Sequence, residues 1–142
     1  MNNEQIMFNP EENIKLVKLF YATLGKGDIP SVLNLLADDV EWEMPHPRDL
    51  VPFGGIWRGR DQVGQFFKVT HDCSEFKKVE LREFIAQNDK VVVIGYTEVL
   101  VKSNNRLYGN DLVAIWTIDN QKIKKMKDYM DTAPAVLAFS NS

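Results

Sequence analysis

The second half of the sequence alternates, and that constrains the fold more than any other feature. Four segments, Val79 to Ala86, Lys90 to Val101, Leu107 to Ile118 and Lys122 to Met130, are rich in apolar residues at every second position. They are separated by Gln87-Asn88-Asp89, Ser103-Asn104-Asn105 and Asp119-Asn120-Gln121. Period-two patterning broken by short Asn- and Asp-rich stretches predicts strands joined by hairpin turns.

The first third follows a helical period instead. Asn9 can cap a helix, Pro10 suits its first position, and Glu12 stands three residues after the cap. Ile14, Val17, Tyr21 and Leu24 follow on one face, and Gly25 and Gly27 end the run. Asp28 can cap a second, short helix with Ile29, Val32, Leu33 and Leu36 inward. Val40 to Met44 reads as a strand with Val40, Trp42 and Met44 on one face, and Pro45 stops it. Residues 46–59 form a long irregular loop, and Asp61 to Thr70 a third helix burying Val63, Phe66 and Phe67. Helices followed by a meander mean an α+β fold. The expected organisation is a single domain over residues 1–142, with 1–8 a loose N-terminal segment.

Composition excludes several classes. At 142 residues, 44% hydrophobic and 26% charged, the chain matches one ordinary globular domain. No apolar run approaches the roughly 18 residues needed to span a bilayer, and the start lacks the regions of a signal peptide. A cytoplasmic, membrane-free protein is expected. A net charge of −3 argues against a nucleic-acid surface; Lys122, Lys124, Lys125 and Lys127 read as the solvated face of one strand. Two distant histidines, His46 and His71, and one cysteine, Cys73, assemble no metal site, and Gly54-Gly55 is no phosphate loop, so no cofactor is expected. Both histidines are expected at the surface, although His46, in the loop at the presumed pocket mouth, could titrate or bind a ligand's oxygen.

Turn positions give an approximate register, and register decides which residues share a face. A turn centred near Asn104 sets Glu98 opposite Asn110 and Tyr96 opposite Leu112. A turn centred near Asn120 sets Asp128 opposite Leu112 and Met126 opposite Ala114. One face of three strands then carries Tyr96, Glu98, Leu100, Tyr108, Asn110, Leu112, Ala114, Trp116, Met126, Asp128 and Met130. It is apolar with Glu98, Asn110 and Asp128 set into its middle. A carboxyl in apolar surroundings is disfavoured as the anion, which is how a general acid or base is tuned toward neutral pH. The candidate catalytic residues are therefore Asp128, Glu98 and Asn110. The candidate substrate-binding residues are Trp42, Met44, Tyr96, Tyr108, Leu112, Trp116 and Met126. The opposite face, with Thr97, Val99, Val101, Asp111, Val113, Ile115, Lys127 and Tyr129, suits a homodimer interface or a helix-covered surface.

Three segments resemble the SnoaL-like branch of the nuclear-transport-factor-2-like superfamily, in the family's order. They are Phe20-Tyr21 through Gly27-Asp28-Ile29 to Leu36-Ala37-Asp38-Asp39-Val40-Glu41-Trp42, then Gly55-Ile56-Trp57-Arg58-Gly59-Arg60-Asp61 with Phe66-Phe67, then Lys127-Asp128-Tyr129-Met130-Asp131-Thr132-Ala133. The resemblance implies a cone-shaped barrel in which a curved antiparallel sheet packs against three N-terminal helices. In the related epoxide hydrolases a catalytic aspartate matches Asp128 and a second matches Glu98. The arginine between them falls on Tyr96, and the water-holding tyrosine and asparagine fall on Trp42 and Met44. Ketosteroid isomerases place a tyrosine where Phe20 stands and a base where Met44 stands. A cyclase-type reaction needs only one positioned carboxyl. The resulting expectation is a cofactor-free acid/base enzyme on a small, apolar, carbonyl-bearing compound. The alternatives are a non-catalytic ligand-binding or interaction domain and a divergent epoxide hydrolase.

Overall fold

The computed structural model describes residues 7–140. Of the segment expected to be loose, residues 1–6 lie outside the described residues, while Met7 and Phe8 are exposed and irregular.

Helix α1 (Pro10–Gly25) begins where its cap predicts: the Asn9 side chain accepts a hydrogen bond from the Glu12 amide at 3.2 Å. Helix α2 (Ile29–Asn34) starts on Asp28, which accepts from the Ser31 amide at 3.2 Å. Caps of this kind contribute about 1 kcal/mol each. The first strand, β1 (Leu36–Met44), is longer than its alternation suggests and takes Leu36 from the expected helical stripe. The segment read as continuous loop contains a short strand, β2 (Gly55–Arg58), paired with β1. Helix α3 (Gly59–Cys73) buries Val63, Phe66 and Phe67 as expected. Strands β3 (Ser74–Gln87), β4 (Lys90–Val101), β5 (Leu107–Asp119) and β6 (Lys122–Tyr129) follow, and α4 (Ala133–Phe139) closes the chain.

The six strands form one sheet in the order β2-β1-β6-β5-β4-β3. The meander is antiparallel, but β6 joins β1 in parallel, so the last strand closes onto the first. Helices α1, α3 and α4 all pack on one face of this sheet. The core lies there, built on Val17, Phe20, Val40, Trp42, Phe67 and Trp116. Phe20 sits 4.9 Å from Trp116 and 5.5 Å from Trp42, ring centre to ring centre, with edge-on and tilted geometries that suit aromatic packing.

Register corrects one strand and preserves another. The turn between β4 and β5 is even-numbered: Lys102 to Asn105 lie between Val101 and Arg106, and Asn105 takes a φ of +58° to close it. Glu98 therefore stands opposite Gly109 and Tyr96 opposite Asp111, one residue away from the expected pairing. Because side chains alternate, that slip turns the whole of β4 over. Val91, Val93, Thr97, Val99 and Val101 are buried on the inner face, whereas Tyr96, Glu98 and Leu100 lie on the outer one.

On β6 two departures cancel. The turn is the residue pair Asn120-Gln121, both with positive φ, which alone would reverse the strand. A β-bulge then inserts Lys124, because Ile118 pairs with Ile123 but Thr117 pairs with Lys125. Asp128 and Met126 keep the inner face, opposite Ala114 and Trp116.

Candidate active site

Asp128 is held by the centre of the sheet. Ala114 of β5 faces it on one side, and continuing the parallel register of Trp42 with Met126 brings Met44 of β1 beside it on the other. Its carboxyl sits deep among protein atoms while the residue keeps some solvent contact. Burial pushes its pKa up from 3.8 to about 7, since little in the surroundings compensates the anion. At neutral pH such a group both gives and takes a proton readily.

Tyr21 of α1 lies close enough for the Asp128 charge to act on it. Burial raises its pKa first and the Asp128 charge second, so the phenol stays a neutral hydroxyl beside the carboxyl. Its ring lies 5.6 Å from Trp116 and 6.5 Å from Phe84. The Trp116 indole N–H points toward the Tyr21 hydroxyl and favours its anion, yet it makes no hydrogen bond of good geometry. Its helical spacing assigns Tyr21 to the buried stripe of α1 and gives it no polar role. Its adjacency to Phe20, the position matching the isomerase tyrosine, was the available signal.

The other expected site residues divide cleanly. Trp42, Trp116 and Met126 are buried on the inner face, and Met44, Tyr108 and Leu112 are half-buried there. Trp57, Trp42, Met126 and Trp116 form one row across four strands. Asn110 is also inner and buried, but its amide nitrogen donates to the Asp131 carbonyl at 2.8 Å and so ties β5 to the end of β6. Burial raises the Tyr108 pKa, and the ring lies 6.5 Å from Phe139.

Glu98 and Tyr96 do not join the group. They occupy the outer face, where the Tyr96 hydroxyl donates to Glu98 Oε2 at 2.9 Å and Arg82 covers the Tyr96 ring. Tyr96 leans over Gly109, whose absent side chain makes room: a Cβ there would lie 2.3 Å from the phenol oxygen. The expected trio of Glu98, Asn110 and Asp128 is thus reduced to one inward carboxyl and one structural amide. Thr97, Val99 and Val101, expected outside, are inside.

His46 reverses another expectation. It is 3% exposed, with its ring edge-on to Phe53 at 5.5 Å and neither nitrogen partnered. The indole nitrogens of Trp42 and Trp116 are likewise buried without partners. His71 is exposed, as expected. Two open hollows lie away from Asp128: one of about 490 Å³ beside Tyr108, Pro134 and Leu137, the other of about 410 Å³ beside Asp38, Arg58 and Arg60.

The comparisons agree with this geometry. The SnoaL-like domain family matches residues 17–126. A nuclear-transport-factor-2-like protein of Burkholderia xenovorans LB400 is 30% identical, with a TM-score of 0.87 over 94% of this chain and 100% of the other. A second such protein, of unknown function, from Burkholderia pseudomallei K96243 is 28% identical, with a TM-score of 0.78 over 91% and 98%. TerC, co-crystallized with polyporic acid, is 29% identical, with a TM-score of 0.76 over 90% and 98%. Among curated proteins none matches the chain. No helix among the described residues is long and apolar enough to cross a membrane. With the family matched over most of its length and the curved six-stranded sheet in place, the chain belongs to the SnoaL-like family of the nuclear-transport-factor-2-like fold.

Proposed function

We propose that the protein is a cofactor-free proton-transfer enzyme of isomerase or cyclase type, acting on a small, mostly apolar, carbonyl-bearing compound. The observation that carries this reading is Asp128: an inward carboxyl on an apolar face, with its pKa raised to about 7 by burial. As the anion it takes a proton from the carbon next to the carbonyl, and as the acid it returns that proton at another atom. Tyr21, a neutral hydroxyl near it, is suited to hold the substrate oxygen. The co-crystallized TerC, at 29% identity, supports a pocket that accepts a small organic molecule.

The test is hydrogen–deuterium exchange of 2-tetralone, an enolisable ketone, followed by proton magnetic resonance. The wild-type protein is expected to accelerate exchange, and Asp128→Asn to lose about a hundredfold of that, within the usual range for general acid–base catalysis. Equal rates with and without protein would retire the reading.

One observation favours a non-catalytic binding or interaction domain instead. The nitrogens of Trp42, His46 and Trp116 are shut off from solvent, so the chain's own side chains fill much of the interior. Ligand binding without exchange would decide for that alternative. The epoxide hydrolase reading needs the positions of Glu98 and Tyr96 beside Asp128, and both lie on the other face of the sheet.

Two further readings accompany the first. We infer a homodimer through the outer face of the sheet, which no helix among the described residues covers. We also assign the chain to the cytoplasm, on its lone Cys73; fractionation of cells carrying the tagged chain would test that.

A further inference from the structure

His46 combines burial, isolation and fixed placement in a way that core packing does not account for. A neutral imidazole always carries one N–H donor and one acceptor, and burying both unpaired is a standing cost to the fold. Burial also lowers its pKa, so the ring is neutral at pH 7. Around it are aromatic edges: Phe53 at 5.5 Å, which in turn packs on Phe66 and Phe139.

The chain is built to hold it there. His46 comes two residues after Met44, the β1 residue beside Asp128. Gly54 lies against its backbone so closely that a Cβ would come within 2.2 Å of the His46 carbonyl oxygen. Arg48 donates to the carbonyls of Gly54 at 2.7 Å and Ile56 at 2.8 Å, and stacks on Trp57 at 4.0 Å. The loop 45–54 is therefore fastened to β2 as one piece, with the imidazole on its inner side.

We propose that His46 is a recognition residue of the Asp128 pocket, pairing one ring nitrogen with a hydroxyl or enol oxygen on an aromatic or otherwise apolar substrate. This rests on the pocket reading above. A hydroxyl suits the site because it can donate to one tautomer or accept from the other, whereas a ketone oxygen can only accept. Solvent reaches neither nitrogen in this structure, so a ligand oxygen would be the first polar partner of the ring.

The experiment compares p-cresol with p-xylene, alike in shape but differing by one hydroxyl, using the full chain labelled with nitrogen-15 at histidine. Binding of p-cresol is expected to be at least tenfold tighter and to shift the His46 ring nitrogens. His46→Phe is expected to abolish that preference while raising the melting temperature of the free protein, because it removes two unpaired polar atoms. If Phe overpacks the site, His46→Leu carries the same comparison. Persistence of the hydroxyl preference in both variants, or p-cresol binding with unshifted His46 nitrogens, would overturn the proposal and leave the Asp128 reading standing. In Asp128→Asn the preference is expected to survive; its loss there alone would transfer the hydroxyl to Asp128 and overturn the His46 assignment. Failure of both probes to bind the wild-type chain would remove the pocket reading and this proposal together.

Discussion

Asp128 on β6 stands directly across from Ala114 on β5, so the inward carboxyl faces a methyl. A larger residue there would occupy the space over the carboxyl, and a charged one would hold it as a fixed ion. Ala114 does neither, and the carboxyl is left in apolar company within the sheet. The pairing exists because Lys124 is bulged out of β6; without that extra residue Asp128 would face the outer side.

A buried carboxyl with a raised pKa makes stability depend on pH in a definite direction. Below about pH 4 Asp128 is protonated in both folded and unfolded chains and contributes no difference. As pH rises from there to about 7, the unfolded chain releases the proton first, so its contribution to stability falls, then levels off above the folded value. The total loss is of the order of a few kcal/mol. Asp128→Asn is expected to flatten this slope and to be more stable than the wild type at pH 8. Urea denaturation at several pH values would read it, and an unchanged slope would count against the raised pKa.

Ala114→Leu would place a branched side chain over the Asp128 carboxyl. Overpacking typically costs about 1–3 kcal/mol, which a domain of this size can absorb. The expected result is a folded protein that no longer exchanges 2-tetralone protons. Calorimetry and the exchange assay on one sample separate loss of fold from loss of access; a folded variant with full exchange would mean the substrate approaches from elsewhere.

The elements that repeat were legible in the sequence, and the ones set by a single residue were not. The caps at Asn9 and Asp28 and the three helices follow from local chemistry. The four late strands follow from period two. Strand β2 escaped because four residues containing Gly55 carry too little alternation to register. Facing on β4 failed because a turn of four residues and one of five look alike in sequence, yet they send Glu98 to opposite sides. On β6 the two-residue turn and the Lys124 bulge each shift the register by one residue, so the face expected from a turn centred near Asn120 is kept. The burial of His46 is not legible because a Pro-flanked polar loop residue is usually exposed, and nothing local says that Gly54 and Arg48 fold the loop over it.

The outer placement of Glu98 and Tyr96 predicts indifference to their chemistry. Their hydrogen bond lies on the outer face and competes with water, so losing it costs little. Glu98→Gln and Tyr96→Phe are expected to change proton exchange less than twofold. A tenfold loss in either would mean that the outer face takes part in the reaction, and the single-carboxyl mechanism would have to be abandoned.

The same face should make the dimer. Val92, Ile94, Val113 and Ile115 form its half-buried apolar centre, and Tyr129 is 44% exposed at its side. Ion pairs of Lys125 with Glu41 and Lys127 with Glu43 run alongside, Lys127 standing directly across from Ile115. A stable interface buries about 1,200–2,000 Å² in total, within reach of a sheet whose helices all lie on the other side. Ile115→Glu would put a carboxylate in the middle of that surface, where pairing with its symmetry mate sets like charges together. Sedimentation is expected to give twice the chain mass for the wild type at micromolar concentration and the single-chain mass for the variant, with unchanged circular dichroism. A wild-type protein that stays monomeric at a hundred times that concentration would rule the interface out.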